Sequence, residues 1–373
     1  MRFKDIIGQD EAVKKVQETI ENKRLAHGLL LVGPSGVGKL AMATAIAQYM
    51  NCLQPVNGDS CGKCSSCIKI SKGIHPDLTY ILPIFSKTEG GKRLLSASYF
   101  DQFREPFFED PYFSFSEWQR TLGGENKQLF ISVHEIRELK RKIYLKAFEG
   151  KYKVVIVWNA EKINVEGANA FLKLLEEPPD KTLIILTCSD PSMLLTTINS
   201  RVQRIMMSRL SQDHISQYLM DKRGFAQEEA ESIARISDGS IAEAREVTTD
   251  GSKEIGRVYA DWMRAIYKGD YAEIQSQLEQ VARESKEFQK LFLEIAIKKM
   301  RDALLFHLGL DQLSLATEEE KKFQENFAKV IDSDKVERMV WNMEDTYRAV
   351  SRNANSQMTF TALSLRMHSI IRS

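Results

Sequence analysis

The sequence predicts an α/β fold, in which a parallel sheet carries a phosphate-binding loop, followed by an all-helical C-terminal part. Three observations predict it. Short apolar runs alternate with helical patterns over residues 1–208, which is typical of a parallel sheet covered by helices on both faces. A glycine-rich loop, 33–39, follows the first of these runs. Amphipathic helical patterns fill residues 251–373.

The predicted sheet consists of five apolar runs that have the length of buried strands. The runs are 28–32, 77–82, 153–158, 182–188 and 202–207. Helical periodicity predicts helices at 9–23, 40–50, 132–148 and 163–177, and the pair Pro178-Pro179 ends the last of them.

The first strand leads into a nearly complete phosphate-binding loop. The pattern G-x-x-x-x-G-K runs from Gly33 through Gly36 and Gly38 to Lys39, but Leu40 follows where Ser or Thr is expected. In such a loop the glycines let backbone N–H groups surround phosphate oxygens, the lysine reaches the terminal phosphates, and the hydroxyl binds Mg²⁺. Leu40 cannot ligate a metal, so the sequence predicts a nucleotide-binding fold that has lost part of its chemistry.

The strand expected to complete a nucleotide-hydrolysing site, 153–157, is followed by Trp158 and Asn159. An active enzyme has Asp-Glu at this point, to hold the metal and orient the attacking water. The nearest carboxylate here, Glu161, lies two or three positions further on. Because phosphoryl transfer depends on the metal and on positioning, the sequence predicts a catalytically inactive site. Whether this site binds ATP or ADP is left open.

Four of the five cysteines predict a metal site, with the spacing C-x8-C-x2-C-x2-C over Cys52, Cys61, Cys64 and Cys67. We expect structural zinc rather than disulfides, because nothing in the sequence indicates an oxidising compartment. An iron–sulfur cluster is the alternative, since C-x2-C-x2-C also opens ferredoxin-type runs. Cys188 stands alone on a predicted strand, and we expect it to be a small buried residue.

Residues 84–130 interrupt the alternation of strands and helices and contain nine aromatic residues between Tyr99 and Trp118. At that aromatic density disorder is not expected. The favoured interpretation is a small packed insertion. The alternative is a partner surface that uses aromatic anchors.

From residue 209 onward the pattern is helical. Residues 209–250 are predicted to form a small lid domain, with helices at 211–222, 226–237 and 240–248. Residues 251–373 are predicted to form a helical bundle that packs against itself or its neighbours. Its predicted helices are 255–268, 271–284, 285–308, 318–331, 336–352 and one that begins at 356.

Composition excludes several classes of protein. The chain has 52 basic and 51 acidic residues and a formal charge of +1, which argues against a strongly basic DNA-binding module. The N-terminal residues have no long apolar segment of the kind found in signal peptides. No run approaches the roughly 18 apolar residues of a membrane span. We therefore expect a cytoplasmic protein without a membrane partner.

Several motifs occur together in a specific order. They are Ile6-Ile7-Gly8-Gln9, the phosphate-binding loop after His27-Gly28, the four cysteines, the segment from Asn169 to Pro179, and the segment from Thr196 to Gln203. In this set the chain resembles the delta-prime subunits of the bacterial DNA polymerase III clamp loader, which have an AAA+ fold. The resemblance covers nearly the whole chain, and 84–130 is the main departure from it.

The resemblance implies an AAA+ domain over 1–208, a lid over 209–250 and a C-terminal collar over 251–373. It implies a hetero-pentamer with gamma/tau and delta subunits, which loads the sliding clamp onto primer–template DNA. The family's Ser-Arg-Cys segment appears here as Ser200, Arg201 and Val202. By resemblance, Arg201 is the arginine finger that reaches the γ-phosphate bound by a neighbouring subunit.

A further departure concerns the Gly-Ser-x-Arg motif with which active relatives sense nucleotide. Gly239 and Ser240 are present, but Ala242 stands in place of the arginine. We therefore expect a non-hydrolysing structural and regulatory subunit. One alternative is an active ATPase of the gamma/tau type, against which Leu40, Trp158 and Ala242 argue. The other is a free-standing DNA-binding protein, against which the near-zero net charge argues, because DNA binding depends on basic residues that contact phosphates.

Overall fold

The chain divides into two compact units, one of residues 1–234 with 238–243 and the other of residues 235–237 with 244–373. The expected domain boundary at 250 and the expected helix ends at 23, 284 and 285 lie outside the described residues. The computed structural model describes residues 1–22, 24–86, 88–89, 92–123, 128–248, 251–283, 286–314, 316, 318–352 and 354–372.

The first unit is built on a parallel sheet that contains all five predicted strands. In chain order its strands are β1 (Gly28–Val32), β2 (Leu78–Ile81), β5 (Lys153–Val157), β6 (Thr182–Cys188) and β7 (Gln203–Met206). A separate two-stranded antiparallel sheet consists of β3 (Thr88–Glu89) and β4 (Lys92–Arg93). The order across the sheet is β2-β5-β6-β1-β7, and every pair is parallel. The predicted fold class is confirmed.

The helices of the described residues up to 248 include those predicted and four that were not, at 65–71, 100–109, 115–121 and 196–199. They are α1 (Asp10–Glu21), α2 (Lys39–Asn51), α3 (Ser65–Ser71), α4 (Phe100–Glu109), α5 (Phe115–Thr121), α6 (Val133–Ile143), α7 (Val165–Glu176), α8 (Thr196–Asn199), α9 (Gln212–Arg223), α10 (Gln227–Ile236) and α11 (Ile241–Thr248). Short 3₁₀ turns lie at Phe3–Asp5, Ser96–Tyr99, Ala160–Lys162, Pro191–Met193 and, in the second unit, Asp311–Leu313.

Strand β1 shows why the sheet is covered on both faces. All five of its residues are buried. Leu29 and Leu31 join an apolar cluster with α1, α2 and the 84–130 insertion, whereas Leu30 and Val32 join a cluster with α6 and α7. Side chains alternate between faces along a strand, so a strand that is apolar throughout needs cover on each side.

Helix α6 is shorter than predicted, because it ends at Ile143 rather than at 148. The Lys153 ammonium donates to the carbonyl of Lys142 at 3.0 Å and also to that of Leu145. The Asp77 carboxylate accepts the N–H groups of 148–150 at 2.7 to 2.9 Å. These contacts stabilise a loop over 144–150, although the segment contains good helix formers. Burial alone would raise the pKa of Asp77, but the three N–H groups that it accepts lower it.

The insertion packs into the first unit, as the favoured interpretation predicted. Its ends meet in an antiparallel bridge between Ile84 and Phe130. Phe103, Phe107 and Trp118 are fully buried in the cluster that includes Leu29 and Leu31. None of the nine aromatic side chains counted in the sequence is exposed.

The second unit is helical over its described residues. Its helices are α12 (Gly251–Lys268), α13 (Tyr271–Arg283), α14 (Lys286–His307), α15 (Glu318–Phe327), α16 (Ser333–Ser351) and α17 (Ser356–Arg372). Fully buried Trp262, Phe292 and Phe360 lie in its core, and the Trp262 indole donates to Ser364 Oγ at 2.8 Å. Helix α15 ends before the predicted 331, because the chain tightens into i−3 bonds such as that from Val330 N–H to Phe327 O at 3.0 Å.

A bilayer crossing requires a long helix with few charges. None of the helices in the described part of the chain meets that requirement.

Candidate functional site: the phosphate loop, the cysteine cluster and Arg201

The phosphate-binding loop lies between β1 and α2, as predicted. Gly33 N–H donates to the carbonyl of Cys188 at 3.2 Å, and a Cβ on Gly33 would lie 2.3 Å from the Met207 carbonyl. Gly38 precedes α2 with a φ of +91°, a conformation that side chains other than hydrogen disfavour. The glycines are therefore required by the backbone path, and the loop ends at a helix N-terminus, a place where proteins commonly bind phosphates.

Lys39 is bound by its own loop. Its Nζ donates to the carbonyls of Gly33 at 2.7 Å and Pro34 at 2.5 Å, and to Ser189 Oγ at 3.2 Å. Burial lowers the pKa of Lys39 to about 8, although the nearby Glu161 carboxylate acts in the opposite direction. The ammonium that would meet a terminal phosphate thus bonds to protein oxygens.

The two positions expected to bind Mg²⁺ are part of the apolar core. Leu40 and Trp158 are 5% and 6% exposed and belong to the same cluster. The Trp158 ring lies 5.6 Å from that of Phe103 and 6.1 Å from that of Phe115, measured between centroids. An apolar side chain and an aromatic ring therefore occupy the places where hydrolysis needs a hydroxyl and a carboxylate.

Glu161, the nearest carboxylate, lies close enough to Lys39 to act on its pKa. One of its oxygens accepts the Ser189 N–H at 3.0 Å, and the other is buried without a hydrogen-bond partner among the described residues. Asn159 has a left-handed φ of +51°, and its N–H donates to Thr187 Oγ1 at 3.0 Å. Both residues therefore fix the backbone between β5 and β6.

The segment from Gly239 to Ala242 lies against the phosphate loop. Ile241 N–H donates to the Gly36 carbonyl at 3.2 Å. A Cβ on Gly36 would lie 2.2 Å from Ser240 Oγ and 2.8 Å from Ala242 Cβ. The small residue at 242 therefore packs at the loop itself.

Tyr112, which the sequence did not single out for function, lies on the other side of the loop. Its hydroxyl accepts the Ile7 N–H at 2.8 Å, and its Cε1 is 3.0 Å from where a Cβ on Gly38 would be. It is 3% exposed, and burial raises the pKa of its phenol. The only sequence signal for this contact was the aromatic density of the insertion.

The four predicted cysteines come together. The sulfur atoms of Cys52, Cys61, Cys64 and Cys67 all lie within 4.8 Å of one another, and those of Cys61 and Cys67 are 4.0 Å apart. Four thiolates about 2.3 Å from a tetrahedral Zn²⁺ would be about 3.8 Å apart, so the arrangement fits such an ion. The backbone N–H groups of Lys63 and Cys64 lower the pKa of Cys61 to about 6, which favours its thiolate. These residues could bind a metal such as zinc.

The cluster connects parts of the first unit that are distant in sequence. Cys52 caps the end of α2, and Cys64 precedes α3. Between them, Asp59 accepts the N–H groups of Phe3 at 3.1 Å and Lys4 at 3.2 Å. A metal here would therefore hold the end of the phosphate-loop helix and the chain N-terminus together. Cys188, by contrast, is buried on β6, as predicted.

Arg201 lies at the opposite edge of the sheet from the phosphate loop. Its carbonyl is 3.4 Å from where a Cβ on Gly28 would be, at the start of β1. Its guanidinium contacts Glu176 Oε1 through Nε at 2.9 Å and Nη2 at 2.6 Å, and Nη1 donates to the Thr197 carbonyl at 2.8 Å. The side chain is 34% exposed, so it lies at the surface rather than in the core.

Comparison with known proteins gives a consistent family. Residues 8–211 match the family model described as DNA polymerase III, delta subunit. The DNA polymerase III subunit delta' of Pseudomonas aeruginosa is 30% identical over 66% of this chain and 63% of its own length. The subunit tau/gamma of Haemophilus influenzae is 24% identical over 81% of this chain and 41% of its own length. The chain thus spans less than two thirds of these relatives.

One solved structure is similar to this chain at low sequence identity. It is a DNA polymerase III gamma subunit-related protein from Thermotoga maritima, 16% identical, covering 97% of this chain and 100% of its own, with a TM-score of 0.37. At that TM-score the fold assignment depends on the sheet and helices described above.

Proposed function

The chain belongs to the DNA polymerase III delta-subunit family, and from this premise we propose that it is a non-hydrolysing subunit of the clamp loader. It would work in a hetero-pentamer with gamma/tau and delta subunits, which loads the sliding clamp onto primer–template DNA in the cytoplasm. The proposal keeps the division into an AAA+ domain over 1–208, a lid over 209–250 and a collar over 251–373.

The observation that carries the proposal is the separation between Arg201 and the chain's own phosphate loop. Arg201 lies beside the start of β1, whereas the loop begins after its end. Five residues of parallel strand separate the two points by about 16 Å. A guanidinium at that end of the strands cannot reach phosphates bound in its own loop, whereas its exposed side could meet a nucleotide held by a neighbouring subunit.

The chemistry of Arg201 suits a role as an arginine finger. Its planar guanidinium already bonds a carboxylate through two nitrogens, Nε and Nη2, and phosphate oxygens fit the same fork. Glu176 would hold the side chain in position until a neighbour's γ-phosphate takes its place. A fixed cation where charge develops is worth roughly 10³–10⁵ in rate in related nucleotide-hydrolysing proteins.

Zinc is the metal we propose for Cys52, Cys61, Cys64 and Cys67. Four thiolates leave no open coordination position, so the ion would stabilise the fold and take no part in catalysis. Iron–sulfur chemistry remains the alternative outcome of metal analysis.

Reconstitution of the assembly tests the finger. The Arg201→Ala substitution should lower the clamp- and DNA-stimulated ATPase rate of the assembly by the contribution of one site. Arg201→Lys should restore little of that rate, because a point charge does not reproduce the planar pair of N–H donors of a guanidinium. Arg204→Ala, an exposed arginine on β7, is the matched control and should leave the rate unchanged. Gel filtration would establish that each variant assembles. An Arg201→Ala assembly with the wild-type rate would contradict the proposal.

An active ATPase of the gamma/tau type is the second candidate, since Lys39 and the loop glycines are present and tau/gamma subunits are among the relatives. Leu40 and Trp158 argue against it, because both lie in the core where metal ligands would be needed.

A further inference from the structure

We infer that this chain fills its own nucleotide pocket with Tyr112, so that the subunit works without bound nucleotide. The inference extends the proposed non-hydrolysing role: missing metal ligands prevent hydrolysis, whereas an occupied pocket prevents binding.

The loop is flanked closely by this chain's own side chains. Beside Gly36, Ser240 and Ala242 are too close even for an added methyl group. Beside Gly38, a Cβ would lie 3.0 to 3.4 Å from three atoms of the Tyr112 phenol. The space next to the N-terminus of α2, where a nucleotide bound at the loop would lie, therefore holds the Tyr112 ring.

Tyr112 is a flat ring with a hydrogen-bond acceptor at its edge, as a purine is. Its oxygen accepts the Ile7 N–H at 2.8 Å, and its ring lies 5.7 Å from that of Tyr218 on α9, measured between centroids. A base entering this space would have to break that bond and displace a ring that is 3% exposed.

Hydrogen bonds to Asp110 hold the turn that carries the Tyr112 ring. Asp110 accepts the Tyr112 N–H at 3.2 Å through Oδ1. Its Oδ2 accepts from the Tyr218 hydroxyl and from Arg223 Nη2, the latter at 3.3 Å. The turn that carries Tyr112 is thus fastened to α9 through a largely buried carboxylate. Because Asp110 lies in the 84–130 insertion, the insertion has a defined task, which is to close the pocket.

Equilibrium binding of ATP and ADP, with and without Mg²⁺, tests the inference by calorimetry on the full chain. Wild type should show no binding at millimolar nucleotide, and Tyr112→Ala should bind at least tenfold more tightly. Adding Lys39→Ala to Tyr112→Ala should remove the gain, which would locate it at the loop. Tyr112→Phe keeps the ring and should behave as wild type. Phe107→Ala is the matched control, because it removes a fully buried ring of the same insertion away from the loop.

Two results would overturn the inference. One is wild-type binding as tight as that of Tyr112→Ala. The other is a Tyr112→Ala protein with a wild-type circular dichroism spectrum that binds nucleotide no better than wild type. If Tyr112→Ala does not fold, a wild-type Kd for nucleotide below the millimolar range overturns the inference by itself. If wild type does not bind and Tyr112→Ser does, the inference is supported. Failure of the finger would appear separately, as a wild-type rate in the Arg201→Ala assembly.

Discussion

The two ends of the strands differ in what they offer. At the carboxyl ends of the strands, the residues around the phosphate loop contact one another: Lys39 donates to loop carbonyls, Trp158 packs on aromatic rings, and Tyr112 accepts from Ile7. At the amino ends of the strands, Arg201 lies at the surface, where Glu176 and the Thr197 carbonyl hold it. The same fold thus has a buried site with internal contacts at one end of the strands and a partly exposed cation at the other. Burial and bonding of polar groups, more than the presence of a motif, distinguish the two.

The largest expected effect is that of removing a cysteine from the cluster for which we propose zinc. Cys64→Ser should reduce the metal content from one equivalent of zinc per chain to nearly none. It should also destabilise the first unit by several kcal/mol, since structural zinc contributes about 10–16 kcal/mol of apparent binding free energy in small domains. Atomic absorption and urea unfolding measure both. Cys188→Ser is the control and should retain zinc. Metal-free wild type, or a brown protein, would contradict the zinc assignment.

Truncation of Trp158 should have the next largest effect. Trp158→Ala leaves a cavity among the insertion rings and should lower the free energy of unfolding of the first unit by about 3–5 kcal/mol. The matched control is Trp341→Ala, since Trp341 is 58% exposed and should change stability by no more than about 0.5 kcal/mol. Equal effects of the two variants in urea would show that Trp158 does not hold the insertion.

Lys39 should make stability depend on pH in a predictable direction. Its pKa is about 8 in the folded chain against the ordinary lysine value of 10.5, so between these values the unfolded chain binds more protons. The free energy of unfolding therefore rises with pH between these two values. Below pH 8 the destabilisation caused by burying the Lys39 ammonium is fully present. Relative to Lys39→Met, wild type should gain roughly 1–3 kcal/mol from pH 7 to pH 10. A constant difference in chemical denaturation would contradict the buried ammonium.

The amino ends of the strands should be the least sensitive in stability. Glu176→Ala removes the carboxylate that holds Arg201, but the pair is exposed, so the free energy of unfolding should change by no more than about 1 kcal/mol. A loss comparable to that of Trp158→Ala would mean that the pair is structural and that Arg201 is not available to a neighbour.

The sequence predicted those features that depend on residues close together in the chain. The five strands follow from apolar runs, and the cysteine cluster follows from spacings within sixteen positions. The predicted end of α6 was wrong, because contacts of Lys153 and Asp77, which lie outside the helix, determine where it ends. The role of Tyr112 was not predictable, since its hydroxyl meets a backbone N–H 105 positions away. No local pattern encodes such a contact.

The measurement that tests the central claim most directly is Mg²⁺-dependent ATP turnover by the purified chain alone, with Lys39→Ala as the blank. Because Leu40 and Trp158 supply no metal ligand at the two positions where hydrolysis needs one, the two proteins should release phosphate at the same background rate. Steady turnover by wild type that Lys39→Ala abolishes would contradict the account and would support an active motor subunit.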